Sequence, residues 1–391
     1  MVKRGSWQKR LGLLLMPLIV GSFVAGCGGE SSDSDVIKVG ANLEITGGSA
    51  NYGLSGSNGA KLAVEEFNAN GGFKGKKVEL IVVDNKSEAA ESAVAMQKLI
   101  GEGVVATVAS NLSSNAIASA QICEDGKVPS VSPMGTNPRV TIDEKGNVRP
   151  YSFRATFIDP FQGSVMAEFA SKSLNAKKVA IYIDNSSDYS KGLAQFFEEG
   201  FVAAGGEVVS KEAYLQKDTD FRATLTKIRA MNPDVIFVPG YYQEVGLIIK
   251  QARDMGITVP MIGGDGWDSE NLISLAGDVK NLEGCYFSSM FSPDDTDPKA
   301  VAFTEAYKKA YGKAPDAFAA LGYDAMGMIL NAMVQADSAD SEKIRDALEK
   351  TKDFQGASGK ITLNENHDPV KSAIIISFVD GKQTFKERID P

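Results

Sequence analysis

Histidine, cysteine and tryptophan are scarce in this chain: one, three and two of 391 residues. His367 is the sole imidazole and so the only candidate imidazole base, and there is no Cys/His cluster with metal-ligand spacing. His367 precedes Asp368-Pro369 in a turn-like segment and reads as a surface residue. Gly-x-Gly-x-x-Gly before a helix, Gly-x-x-x-x-Gly-Lys-Ser/Thr and Gly-x-Ser-x-Gly are all missing, so dinucleotide, phosphate-loop and nucleophile-elbow chemistry have no sequence basis. Positive charge is in deficit, with 41 Lys and Arg against 50 Asp and Glu. An acidic surface argues against nucleic acid and against broad contact with anionic headgroups. No metal, cofactor or enzymatic activity is expected; a hydrolase using lysine or carboxylates alone is the disfavoured alternative.

What is present begins at the amino terminus. Lys3, Arg4, Lys9 and Arg10 precede an apolar run from Leu11 to Ala25, and Val24-Ala25-Gly26-Cys27 closes it. A basic start, a short apolar stretch and small residues make a secretory signal over residues 1–26. The ending resembles a lipobox, in which Cys27 is lipidated and becomes the new amino terminus. The alternative is an uncleaved anchor, but the run falls short of the roughly 20 residues of a comfortable span. Residues 27–35 then read as a flexible tether. The expectation is an extracytoplasmic protein held to a membrane by lipid, more acidic once the four basic residues are removed. Cys123 and Cys285 sit in apolar contexts and are expected to be buried free thiols, with a disulfide between them as the alternative. No second apolar run of membrane length is read.

Beyond residue 35 strands and helices alternate. Strands are predicted at Val36–Ile45, Val78–Val83, Val104–Ala109 and Pro129–Val131, with helices at Gly53–Asn70, Ala89–Ile100 and Ser113–Cys123 between them. A second series has strands at Lys178–Ile183, Glu207–Ala213, Val235–Val238 and Val259–Ile262, with helices at Ser190–Ala204, Phe221–Met231 and Glu244–Met255. Helices near Pro298–Tyr311, Asp316–Gln335 and Ser341–Lys350 and a strand near Ile374–Val379 follow. Strands alternating with helices of this length imply parallel sheets, and two series imply two doubly wound α/β lobes.

In such sheets ligands bind beyond the carboxyl ends of the strands, and the loops there are rich in glycine, hydroxyls and aromatics. Ser113 and Ser114 stand where a strand gives way to a helix; they either cap that helix or, with its free N–H groups, bind an anion. Thr136 offers another hydroxyl in the next such loop. Asp265, flanked by Gly263, Gly264 and Gly266, is either a turn residue or a carboxylate for an ammonium. Tyr189 and Tyr241 each follow a strand, and Tyr52 lies just before the first helix; each offers a flat apolar face with a hydroxyl tip.

These loops, with Asn68-Ala69-Asn70-Gly71-Gly72-Phe73-Lys74-Gly75-Lys76, Phe153-Arg154-Ala155-Thr156, Asp188-Tyr189-Ser190-Lys191-Gly192 and Ala320-Leu321-Gly322-Tyr323-Asp324-Ala325, give the chain a resemblance to the leucine/isoleucine/valine-binding proteins. Those are the extracytoplasmic receptors of branched-chain amino-acid ABC transporters, and the likeness spans nearly all of residues 36–391. It implies a type I periplasmic-binding-protein fold with three crossovers, near Ala155, Phe287 and Thr362. Lobe 1 would be residues 36–154 and 287–361, and lobe 2 residues 155–286 and 362–391. It further implies that Ser113 and Thr136 bind an α-carboxylate and that Asp265 and Tyr189 receive the α-ammonium. Tyr241 would line the site, and Tyr52, Met134 and Phe318 would pack on the side chain. The partners implied are a small amino-acid ligand and a permease, with the receptor a monomer. Two departures stand out: Asp265 replaces a glutamate of the best-known members, and a lobe 1 disulfide of some members is replaced here by Ser87 and Leu112. The family also contains receptors for amides, urea and aromatic acids, and a sensory receptor of the same fold is a further alternative.

Overall fold

The computed structural model describes residues 36–391; the expected signal over residues 1–26, Cys27 and the expected tether lie outside the described residues. Five strands, β1 (Val36–Leu43), β2 (Lys77–Asp84), β3 (Thr107–Val108), β4 (Ser130–Ser132) and β5 (Ser152–Arg154), form one sheet in the order β2-β1-β3-β4-β5, all parallel. That is the doubly wound order of open α/β sheets. Helices α1 (Ala50–Ala69), α2 (Ala89–Gly101) and α3 (Ser113–Gly126) make the crossovers. β1 reads Val-Ile-Lys-Val-Gly-Ala-Asn-Leu and is buried along most of its length, as expected of a strand covered on both faces.

The second sheet repeats the plan. It is built from β6 (Lys178–Asp184), β7 (Glu207–Tyr214), β8 (Val235–Phe237), β9 (Met261–Gly263) and β10 (Cys285–Ser289) in the parallel order β7-β6-β8-β9-β10. Helices α4 (Asp159–Glu168), α5 (Asp188–Ala203), α6 (Arg222–Ala230), α7 (Tyr242–Asp254) and α8 (Glu270–Leu275) accompany it. The chain then supplies α9 (Pro298–Tyr311), α10 (Ala317–Gln335), α11 (Ser341–Leu348) and a hairpin of β11 (Phe354–Gly356) and β12 (Gly359–Ile361). It returns to the second sheet as β13 (Ala373–Val379) and β14 (Lys382–Ile389), which pair antiparallel beyond β10. Phe287 lies in the middle of β10 and pairs with Ile376, so the second sheet continues to Ser289.

Helix α10 joins α1. The contact is backbone on backbone: a Cβ on Gly59 would stand 1.9 Å from the Ala319 carbonyl oxygen, and one on Gly322 would stand 2.3 Å from that of Gly56. Glycine at both positions is therefore a packing requirement. Helix α10 is long and apolar enough to cross a membrane, which corrects the expectation of no second apolar run. It is apolar nearly all round because it is a core helix, with Phe318, Leu321, Met326, Ile329 and Met333 buried.

His367 also departs from expectation. It is buried, its ring stacks on Phe153 at 4.2 Å, and Nδ1 lies 3.0 Å from the Ser152 carbonyl oxygen. Burial holds its pKa below the usual value, so a neutral imidazole fills space between the crossing segments. Next to it the Arg154 guanidinium pairs with Asp368 at 2.6 Å and donates to the carbonyl oxygens of Gly135 and Asn137 and to the Thr141 hydroxyl. Cys123 and Cys285 are free and buried, and burial pushes their thiols up to about 12 and about 11.

Candidate ligand site

Both sheets aim the carboxyl ends of their strands at a common zone, where loops from the two meet. From the first sheet come the turn after β3 with the start of α3, the loop after β4, and the first turn of α1. From the second come the starts of α4, α5 and α7 and the loop after β9.

Helix α3 starts without a side-chain cap: Leu112 is its N-cap residue, and Ser113 is the first helical residue. The capping alternative for Ser113 is thus excluded. Its hydroxyl instead accepts from the Asn137 N–H at 3.2 Å, tying the two loops of the first sheet together. Ser114 Oγ accepts from the Asp188 N–H at 3.0 Å, at the start of α5. The uncapped amino terminus of α3 has the dipole sense and free donors that suit an anion. The Thr136 hydroxyl is buried and makes no well-formed hydrogen bond. A buried Glu44 carboxylate organises this corner, accepting from Ser110 Oγ, Asn111 Nδ2 at 2.8 Å and Asn85 Nδ2 at 3.2 Å.

Asp265 faces from the second sheet. It is buried, and Gln162 Nε2 donates to its Oδ1 at 2.7 Å. Burial raises its pKa to about 6, against the lowering influence of Gln162 and Tyr189. Tyr189 belongs to the first turn of α5, not to a loop, and its hydroxyl accepts from the Gly266 N–H at 3.2 Å. Tyr241 is the N-cap residue of α7. Its ring stacks on Tyr189 at 5.3 Å and meets Tyr52 edge-on at 6.0 Å.

Tyr52 likewise sits inside α1 instead of before it. Its ring stacks on Phe318 at 3.9 Å, its hydroxyl donates to the Gly266 carbonyl, and it accepts from the Tyr242 N–H at 3.1 Å. Met134 is buried in the main core. Tyr52, Phe318, Tyr189 and Tyr241 thus form one aromatic group that bridges the two sheets. Further ties join the loops: Asn137 Nδ2 donates to the Asp188 carbonyl at 2.9 Å, and Ser269 Oγ to Asn51 Oδ1 at 3.1 Å. The zone is shut in this structure.

Sequence reasoning did not find Gln162, Asn137, Tyr242 or Asp159. Asp159-Pro160 is a readable helix start, with proline in the first turn. No local pattern shows, however, that Gln162 reaches a carboxylate 103 positions away. A surface cavity of about 760 Å³ between α10 and α11, lined by Lys343, Asp346 and Phe354 among others, includes none of the candidate residues.

The model of the periplasmic binding protein family matches residues 36–383. The Leu/Ile/Val-binding protein BraC3 of Rhizobium johnstonii is 32% identical over 334 residues, covering 85% of this chain and 88% of that protein. A crystal structure of the leucine binding protein LivK from Thermotoga maritima superposes with a TM-score of 0.86 at 40% identity, covering 91% of this chain and 99% of the other. The substrate-binding protein LivJ from Streptococcus pneumoniae, solved in complex with isoleucine, gives 0.85 at 40% identity, covering 91% and 100%.

Proposed function

The chain belongs to the periplasmic binding protein family, and from that premise we propose that it is an extracytoplasmic receptor for an aliphatic L-amino acid, which it delivers to an ABC permease. The observation that carries the reading is the division of labour across the shut zone. One sheet offers hydroxyls and the uncapped amino terminus of α3, and the other offers the buried carboxylate of Asp265. A zwitterion needs both, because either charge left unpaired in a dry site is costly. The aromatic group of Tyr52, Phe318, Tyr189 and Tyr241, with Met134, supplies the apolar wall.

In this reading the α-carboxylate takes the α3 amino terminus with the Ser113 and Thr136 hydroxyls, and the α-ammonium takes Asp265, with Tyr189 alongside. A ligand held from both sides binds the shut form better than an open one, and that difference drives closure. Lobe 1 is taken as residues 36–154 and 290–361 and lobe 2 as residues 155–289 and 362–391, the middle changeover lying at the end of β10 instead of at Phe287. The chain performs no chemistry of its own and works as a monomer. Cleavage after Gly26 and lipidation of Cys27 would tether it through residues 27–35.

The test is calorimetric titration of the purified protein, unfolded and refolded to strip bound ligand, with leucine, isoleucine, valine, phenylalanine, alanine, leucine amide and urea. Binding of the aliphatic acids that is lost with the amide is expected. Heat from phenylalanine or urea alone would replace the ligand class.

A further inference from the structure

Gln162 stands in the first turn of α4 and is wholly buried. Its Nε2 donates to Asp265 Oδ1 at 2.7 Å and to Ser288 Oγ at 3.0 Å. A carboxamide nitrogen carries two N–H groups, so both are spent. Ser288 lies within β10 and pairs with Ile375 of β13, so the amide is anchored on the body of the second sheet. Glycine leaves room for this: a Cβ on Gly264 would stand 2.3 Å from the Tyr189 hydroxyl and 3.0 Å from Gln162 Nε2. The Gln162 carbonyl oxygen, in contrast, is buried without a hydrogen bond. A half-satisfied amide is a poor choice for stability alone, which directs attention to what its nitrogen does. A donor to a carboxylate favours the ionised form, and the Gln162 bond is the largest of the influences that oppose burial at Asp265, with Tyr189 next. Asp159, a second carboxylate on α4, and Asp268 beyond β9 are like charges. Tyr52 of α1, Tyr189 of α5 and Tyr241 before α7 are phenols that burial keeps neutral. Arg154, which acts on Asp159, is paired with Asp368.

We propose that Gln162 is a positioning residue for ligand binding: its amide, anchored on Ser288, fixes the orientation of the Asp265 carboxylate and holds it in the charged form that an ammonium ligand needs. The proposal rests on the amino-acid reading above. Gln162 acts through Asp265 and is not assigned a contact with the ligand. Aspartate has a shorter arm than glutamate, so the place of its oxygens depends more on what grips them. Without the amide, the carboxylate would take up a proton at higher pH, and an ammonium would meet a neutral acid over part of the range in which the unaltered protein binds.

The experiment titrates leucine at pH 8 and pH 6 into the refolded protein, into Gln162→Met, which keeps the length and loses the donor, and into Ser288→Ala, which keeps the donor and loses its anchor. Melting temperatures without ligand are recorded at pH 5, where Asp265 is largely protonated. The fall in leucine affinity from pH 8 to pH 6 should be about fivefold greater in Gln162→Met than in the unaltered protein. Ser288→Ala should weaken leucine at both pH values alike. The pH 5 melting temperature of Gln162→Met should hold, because the carbonyl removed had no partner. The same pH dependence in Gln162→Met as in the unaltered protein, above all with a lower melting temperature at pH 5, overturns the assignment and makes Gln162 a packing residue. Ser288→Ala binding like the unaltered protein overturns the anchoring. If the unaltered protein binds no amino acid, the amino-acid reading has failed and takes this proposal with it.

Discussion

At the scale of the residue, Asp265 ties affinity and stability to pH in opposite senses. Burial holds its carboxyl at about 6 in the shut form, above the roughly 3.9 of an unfolded aspartate. A raised acid contributes stability that is complete below the unfolded value and is lost as pH climbs through the folded one. The shut form should therefore lose this contribution between about pH 4 and pH 6. An ammonium ligand needs the ionised carboxylate, so affinity should rise over that window and level off above it. Titrations at pH 5, 6 and 7.5 check this; an affinity flat across them would remove Asp265 from contact with the ammonium. Asp265→Ala should cost about 3–5 kcal/mol of binding at pH 7.5, the range for stranding a buried charge. Asp368→Ala leaves the Arg154 guanidinium buried without its carboxylate and should cost a similar 3–5 kcal/mol, here of folding stability, read by denaturant titration.

At the scale of the element, α1 and α10 meet through glycines, so a single methyl must force two backbones apart. Gly59→Ala would drive a carbon into the Ala319 carbonyl. A loss of about 3 kcal/mol is expected from such overpacking, and a melting temperature unchanged within a degree would show that the helices can slide. Both helices were legible from their apolar period, as were the long strands β1, β6 and β7. The apolar run Val104–Ala109 narrows to the strand Thr107–Val108, with backbone bonds to its neighbours continuing on either side, from the Val105 N–H to the Lys38 carbonyl and from the Ala109 N–H to the Val131 carbonyl. β5 and α4 were not predicted, and with α4 went Gln162 and Asp159. Loop chemistry named Asp265, Thr136 and the tyrosines as candidates. It placed Tyr52 and Tyr189 in loops because glycine and asparagine near helix starts mimic turns. It also took His367 for a surface group, since a stacking partner 214 positions away leaves no local trace.

At the scale of the whole molecule, a second pair of carboxylates meets across the seam between the two sheets. Asp268, just beyond β9, accepts from the Ala317 N–H at 3.1 Å, while Asp316 caps α10 and accepts from Ser55 Oγ at 2.6 Å. Asp268 Oδ1 lacks a hydrogen bond, and a cavity of about 320 Å³ adjoins both residues. Burial first, and repulsion by Asp316 second, hold Asp268 well above the usual carboxylate range; burial also raises Asp316. Lys313 moderates Asp316, whereas Glu270 and Asp265 add negative charge nearby. Both shifts are upward, so the shut form is favoured at low pH and loses this contribution as pH rises out of the acid range. Asp268→Asn removes one of the two repelling charges. It should raise ligand-free stability at pH 8 by on the order of 1 kcal/mol and change it little at pH 5. The check is thermal unfolding of both proteins at the two pH values. An equal loss at both would mean that Asp268 serves as an acceptor for Ala317 alone and that the seam carries no proton-linked repulsion.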